Sequence, residues 1–269
     1  MDRGATGRFS EEVPYARVGD GPRVLVVLPG VTDALFDGTY SRVAVRFLRR
    51  YYHRFGNEYT VYVISRPRGL AAGTTIRDMA DDYATLIGRE FDAATVWGLS
   101  MGGCIAQRLA AEHPERVEEL VLMATGARLS EAGRALVDEL RRRAYDNEWG
   151  AIRAKLAAET YSDWRGLFYP PAIASVGRLT HPRPAVASDA WTSFEALLDY
   201  DGRGGLRRIE ARTLVLGGGD DRLFPPPILG ETADAIPEAE LDVIDGAGHG
   251  VFLTHKPTVE RRMLVFLGV

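Results

Sequence analysis

The chain alternates short apolar runs with longer amphipathic stretches. Arg23–Leu28, Tyr59–Ile64, Ala94–Trp97, Glu119–Met123, Thr213–Leu216 and Glu240–Ile244 are short, apolar and mostly β-branched, the pattern of strands covered on both faces. Between them, Tyr40–Phe55, Ile76–Phe91, Met101–His113 and Pro257–Phe266 carry apolar side chains at helical spacing. Strand and helix taken in turn predict an α/β fold, a mostly parallel central sheet flanked by helices. Val13–Val18 reads as one further strand, closed by the turn residues Gly19-Asp20-Gly21-Pro22, and the polar segment before it reads as a loose start.

The alternation stops between residues 128 and 205. Glu131–Tyr145, Trp149–Thr160 and Ala187–Tyr200 follow one another as helical segments with no clear strand between them. The predicted organisation is therefore a core of residues 1–127 and 206–269 with a helical cap inserted at 128–205. Three of the four tryptophans, Trp149, Trp164 and Trp191, lie in that insertion with Tyr161, Phe168, Tyr169 and Phe194. These aromatics either anchor a small satellite core or line an apolar pocket. On the second reading Trp149, Trp164 and Trp191 are the candidate pocket residues.

Composition narrows the class. With 269 residues, 46% of them hydrophobic and 26% charged, the chain can bury one large core and has none of the bias of a disordered or fibrous protein. A formal net charge of −4 supplies no general attraction to nucleic acid or anionic lipid, and neither is expected as a partner. The basic run Arg141-Arg142-Arg143 follows Asp138 and Glu139 on a helix, which reads as a solvated face. The single cysteine, Cys104, has no partner for an intramolecular disulfide. No apolar run reaches membrane-spanning length and Met1–Gly7 lacks the apolar core of a secretory signal, so a soluble, cytoplasmic protein is expected.

The stretch that carries chemistry is Gly98-Leu99-Ser100-Met101-Gly102, entered from a β-prone run and left through a helix-forming one. A serine between glycines two positions away on each side suits a strained strand-to-helix turn that lifts the hydroxyl into a cleft. A helix starting directly after Ser100 aims unpaired N–H groups at that hydroxyl, the Met101 N–H first. Serine is a weak nucleophile near neutrality and needs a base, which in turn needs an orienting acid. His249, in the small-residue loop Gly246-Ala247-Gly248-His249-Gly250 after a strand, is the candidate base. For the acid, Asp221 is the first candidate, following the strand Thr213–Leu216 and glycines 217 to 219 at a strand end where such sheets build sites, and its neighbour Asp220 is the rival. The loop Pro29-Gly30-Val31-Thr32 after an early strand offers the Val31 N–H as a second oxyanion donor.

With these residues in place, the chain resembles the α/β-hydrolase fold superfamily, and within it the single-domain, helical-cap esterase, lactonase and cofactor-free perhydrolase group. The resemblance runs from about Val13 to the end. It is carried by Leu28-Pro29-Gly30, the serine turn, His113-Pro114-Glu115-Arg116-Val117 before Leu120-Val121-Leu122, Asp221-Arg222-Leu223-Phe224-Pro225, and Gly248-His249. The chain order of serine, aspartate and histidine is that of the fold. In the family an acid followed by three residues and a proline orients the histidine, which implies Asp221 and leaves Asp220 as a loop residue. Two departures stand out: Pro29 occupies the place of a common histidine before the oxyanion residue, and Ser65 in Ser65-Arg66-Pro67-Arg68-Gly69-Leu70 occupies the place of a common aspartate.

The resemblance implies a serine hydrolase acting on a small, largely apolar ester-like substrate. Ser100 is its nucleophile, His249 its base, Asp221 its orienting acid, and Val31 and Met101 supply the oxyanion N–H groups. No metal or organic cofactor is called for. Lactones, thioesters, activated carbon–carbon bonds and peracid formation are open to the same triad, as is a receptor-like role that captures a ligand. If His249 is a neutral base, the rate is expected to rise through one ionisation near the ordinary histidine value of about 6.5.

Overall fold

The computed structural model describes residues 4–10, 12–160 and 183–269. Its centre is an eight-stranded sheet in the order β1-β2-β4-β3-β5-β6-β7-β8. The strands are β1 (Gly4–Phe9), β2 (Val13–Val18), β3 (Arg23–Leu28), β4 (Tyr59–Ile64), β5 (Ala94–Leu99), β6 (Val117–Met123), β7 (Arg212–Gly218) and β8 (Ala239–Ile244). From β3 onward all pairings are parallel, while β1 and β2 form an antiparallel hairpin that joins the sheet along β4.

The helices α1 (Arg42–Tyr51), α2 (Ile76–Glu90), α3 (Met101–Glu112), α7 (Pro226–Ala235) and α9 (Lys256–Phe266) cover the sheet, and α8 (Val251–Thr254) is a single turn before α9. Successive strand residues point to opposite faces and meet different cores. Val26, Leu28, Val96, Leu120, Leu122 and Val215 pack with α2, α3 and α7. Leu25, Val27, Trp97, Val121, Met123, Leu214 and Leu216 pack with Tyr51 of α1, with Tyr52 just after it, and with Val259 and Met263 of α9. Burial on both faces is why these strands are apolar without alternation. The helix starts are encoded locally: Ser41 caps α1 through Ala44 N–H at 3.1 Å, and Thr75 and Asp78 form a reciprocal capping box on α2.

Between β6 and β7 the described residues form three α-helices, α4 (Glu131–Tyr145), α5 (Trp149–Thr160) and α6 (Ser188–Leu198), then a 3₁₀ turn at Leu206–Arg208, and no strand. The arginine run on α4 pairs with its own acids, Arg141 with Asp138 at 2.8 Å and Arg143 with Glu139 at 2.9 Å.

Two local expectations change. The polar start is not loose: residues of β1 pair with β2 in register, Phe9 opposite Val13, and the Phe9 ring stacks on Tyr15 at 4.3 Å and meets the edge of Phe91 at 5.9 Å. Its order comes from a sheet edge and an aromatic cluster distant in sequence, which a local pattern does not reveal. Helix α7 was also unforeseen, because its first turn is hidden in Pro225-Pro226-Pro227. Proline is favoured in the first turn of a helix, whose leading N–H groups are unpaired in any case.

Candidate active site

Strand order puts the candidate site at the carboxyl ends of the central strands β3 and β5. β3 lies between β4 and β5, so the chain leaves it in one direction and later returns on the other side. The loops after β3 and β5 therefore diverge and leave a crevice at the carboxyl ends of the strands. Leu28 and Gly98 are paired neighbours at that end, which brings the Pro29–Val31 loop beside Ser100.

Ser100 sits at φ +51°, ψ −119° between β5 and α3. A non-glycine residue there is strained, and the surroundings hold it. Its N–H donates to Met123 O at 2.9 Å, and its carbonyl accepts from Gly103 and Cys104 N–H at 2.8 and 3.2 Å. The flanking glycines are required by close approach: a Cβ at 98 would lie 2.7 Å from Gly102 O and 2.8 Å from Ala106 Cβ, and one at 102 would lie 2.6 Å from the Leu28 carbonyl carbon. Both directions of collision, into α3 and into the end of β3, follow from the sharpness of the turn.

Asp221 and His249 arrive from the loops after β7 and β8. The Asp221 carboxylate is buried and fully committed. One oxygen accepts from Leu223 and Phe224 N–H at 2.8 and 3.2 Å, and the other lies 2.8 Å from His249 Nδ1. His249 Nε2 in turn lies 2.9 Å from Ser100 Oγ. A carboxylate can only accept, so Nδ1 carries the proton and Nε2 is left to receive one from serine. Asp220 is exposed on the same loop, its N–H donating to Ala247 O at 2.9 Å. Of the two neighbouring acids, then, Asp221 meets the histidine.

Electrostatics follow from these contacts. Burial alone would push the Asp221 carboxyl up, but the His249 charge and the hydrogen bonds from His249, Phe224 and Leu223 outweigh it and hold the group below the ordinary aspartate value. Burial alone would lower His249. The Asp221 charge and hydrogen bond, with a smaller contribution from the Glu159 carboxylate, outweigh burial and raise it above the ordinary histidine value of 6.5.

Val31 and Met101 each open a helix. Val31 begins a 3₁₀ helix, Val31–Leu35, capped by Gly30, and Met101 begins α3. The leading N–H of each has no acceptor within its helix. Gly30 lies directly over the serine, with its Cβ position 3.3 Å from Ser100 Cβ and 3.9 Å from Oγ.

Trp149 is buried at the start of α5 within the main core. Trp191, on α6, stacks on Tyr145 of α4 at 5.1 Å. Trp164 lies outside the described residues. Two groups escaped the sequence reading. Glu159 and Thr160 close α5 over the histidine loop: Glu159 influences His249 and pairs with Arg222 at 3.6 Å. Asp33 and Arg66, both buried, form a charged cluster beneath Gly30 with the partly buried Arg68. The missing acid at position 65 was the available signal for the second group; nothing local marks Glu159. Cys104 is buried beside Thr125 Oγ1 at 3.6 Å, and burial pushes its thiol up to about 12. Among the described residues no group of three or more His, Cys, Asp or Glu side chains could hold a metal ion, and no helix is long and apolar enough to cross a membrane.

The sequence profile of the alpha/beta hydrolase fold matches residues 65–256. The chain belongs to the α/β-hydrolase family. This hydrolase is 29% identical to a pimeloyl-(acyl-carrier protein) methyl ester esterase of Chromobacterium violaceum, over 91% of its own length and 94% of that protein. It is 32% identical to polyketide synthase ThaQ of Burkholderia thailandensis over 93% of its own length, a match that spans only 12% of that much longer chain. In three dimensions it superposes on MGS-M2, an alpha/beta hydrolase enzyme from a Medee basin deep-sea metagenome library, with a TM-score of 0.82, covering 98% of each chain at 17% identity. At that identity the likeness concerns the fold.

Proposed function

We propose that this α/β hydrolase cleaves a carboxylic ester, lactone or thioester of a small, largely apolar acyl group through an acyl-enzyme on Ser100. The observation that carries the reading is the unbroken hydrogen-bond chain from Asp221 through His249 to Ser100, at 2.8 and 2.9 Å. It is supported by the similarity to a protein that is, by name, a methyl ester esterase. Ser100 Oγ attacks the acyl carbon as its proton passes to His249 Nε2, and the carbonyl electron pair moves onto oxygen. The Val31 and Met101 N–H groups take up that charge. Collapse expels the alcohol or thiol, which leaves with the proton from His249. Water then attacks the acyl-serine with His249 again as base, releasing the acid and restoring Ser100. Asp221 keeps the imidazole in the tautomer that this cycle needs.

The reading is tested with p-nitrophenyl esters of graded acyl length and a fluorophosphonate probe. Many turnovers per protein and a single phosphonyl adduct on Ser100 are expected. One labelling event with no turnover on any ester would instead mark a ligand-capturing protein.

The pH profile carries its own expectation. Only neutral His249 accepts the serine proton, and its value is raised above 6.5. The acid limb of kcat/KM should therefore have its midpoint above pH 6.5, with activity lost as pH falls through it. This moves the expectation from the sequence upward. Glu159→Gln removes one of the charges that raise the imidazole, so it should shift the midpoint to lower pH with little change in the plateau rate. A midpoint below 6.5 in the wild-type protein contradicts the assignment.

The insertion is proposed to select the acyl group. Truncating Trp149, Trp164 or Trp191 to alanine should, for at least one of them, change preference among acyl lengths by about 1–3 kcal/mol in kcat/KM. If all three variants keep the wild-type profile and only melt earlier, the tryptophans are packing residues.

A further inference from the structure

Asp33 is 5% exposed, in the 3₁₀ helix that follows Gly30, and Arg66 is 1% exposed at the end of β4. Two charges this deeply buried require a specific arrangement to be tolerated. Here Asp33 accepts from the Arg66 backbone N–H at 3.1 Å and from Arg68 Nη1 and Nη2 at 3.0 and 3.2 Å, and pairs with the Arg66 guanidinium at 3.7 Å. The Arg66 guanidinium is thereby turned toward the oxyanion loop. It donates to the carbonyls of Pro29 at 3.2 Å and Gly30 at 3.3 Å. The Gly30 carbonyl receives a second donor, the Asp33 N–H, at 3.1 Å.

The consequence comes from peptide geometry. The Gly30 carbonyl and the Val31 N–H belong to one planar peptide unit, and the described chain has no cis bond, so the two point in opposite directions. Holding the oxygen toward Arg66 and Asp33 drives the hydrogen away from them. We propose that Asp33 is a positioning residue: through Arg66 it locks the Gly30–Val31 peptide and presents the Val31 N–H at the oxyanion. The same cluster reaches into the insertion. Asp189 of α6, also buried, accepts from Gly69 N–H at 3.1 Å and Leu70 N–H at 2.8 Å. The Arg66–Leu70 segment is therefore tied to the core by Asp33 at one end and to α6 by Asp189 at the other. Burial would raise the Asp33 carboxyl, but the charges of Arg66 and Arg68, with hydrogen bonds from Arg68 and Ser65, hold it below the ordinary aspartate value, so it stays ionised.

The inference rests on Ser100 as nucleophile and Val31 as oxyanion donor, and its test separates the layers. Wild type, Asp33→Asn and Asp33→Asn with Ser65→Asp are compared on a p-nitrophenyl ester and with two matched inhibitors. A trifluoromethyl ketone takes Ser100 Oγ onto its carbonyl carbon, sends the serine proton to His249 and carries an oxyanion. The corresponding secondary alcohol fills the same space without one. Asp33→Asn should lower kcat by about 100-fold, the scale of a misplaced or lost oxyanion donor, with KM nearly unchanged. It should weaken the ketone by the same factor and leave alcohol affinity unchanged. Ser65 sits beside Asp33, so moving the carboxylate to position 65 should restore at least about tenfold of the loss. Folding is followed by circular dichroism. If Asp33→Asn does not fold, Asp189→Asn replaces it, with a loss of about tenfold expected for the ketone alone. A folded variant whose ketone affinity is unchanged, or whose ketone and alcohol affinities fall together, overturns the proposal. Failure of the ketone to inhibit wild type overturns the nucleophile assignment itself.

Discussion

Ser100→Ala is expected to lower kcat on an activated ester by about 10⁶-fold, the loss that accompanies removal of a triad serine. The fold should survive the change. Ser100 is held at its strained turn by backbone bonds to Met123, Gly103 and Cys104, none of which uses the hydroxyl, and alanine suffers the same positive φ as serine. What disappears is the Oγ partner of His249 Nε2 at 2.9 Å. A spectrophotometric assay beside a thermal melt checks this: activity near background with an almost unchanged Tm is the expected pair. Turnover within tenfold of wild type sinks the assignment, and so does a fluorophosphonate adduct on another residue.

The second large effect is at the acid. Asp221→Asn is expected to reduce kcat by about 10⁴-fold, because an amide that donates to Nδ1 stabilises the tautomer with its proton on Nε2, where it blocks transfer from serine. The residual activity carries a further signature. Without the Asp221 charge the burial of His249 is no longer outweighed, so the acid limb should move to lower pH, opposite in sense to a gain of negative charge. Asp220→Asn is the control. That side chain is exposed, and the rate should change by no more than about tenfold. Equal losses in the two variants, or a larger one at Asp220, reassign the acid.

These expectations differ in how far they could be read from local sequence. Ser100 was legible because the turn imposes a local composition: the glycines at 98 and 102 are needed within the same five residues as the serine, since Cβ atoms there meet Ala106 and Leu28. His249 was legible as the histidine in a small-residue loop after a strand. The acid was not decided by its neighbourhood, for Asp220 and Asp221 have the same flanks. The family resemblance favoured the second, and the loop's curvature turns one toward His249 and the other to water. Val31 and Met101 could be named as helix-opening residues, but the direction of the Val31 N–H depends on Arg66 and Asp33, 33 residues apart.

By itself, the sequence determined the alternation of buried strands with amphipathic helices, the helical segments at Glu131–Tyr145 and Trp149–Thr160, and the glycine-flanked turn at Ser100. Each depends on side-chain spacing or sterics within one or two turns of chain, the range over which a linear pattern is informative. Only the tertiary structure decided the ordering of β1, the contact of Asp221 rather than Asp220 with His249, the elevation of His249 by Asp221 and Glu159, and the clamp of Asp33, Arg66, Arg68 and Asp189 around the Pro29–Val31 loop. All four depend on groups brought together from distant segments, strand pairing and aromatic packing for β1 and buried charges for the other three. The free energy of a buried charge is set by which groups surround it in space.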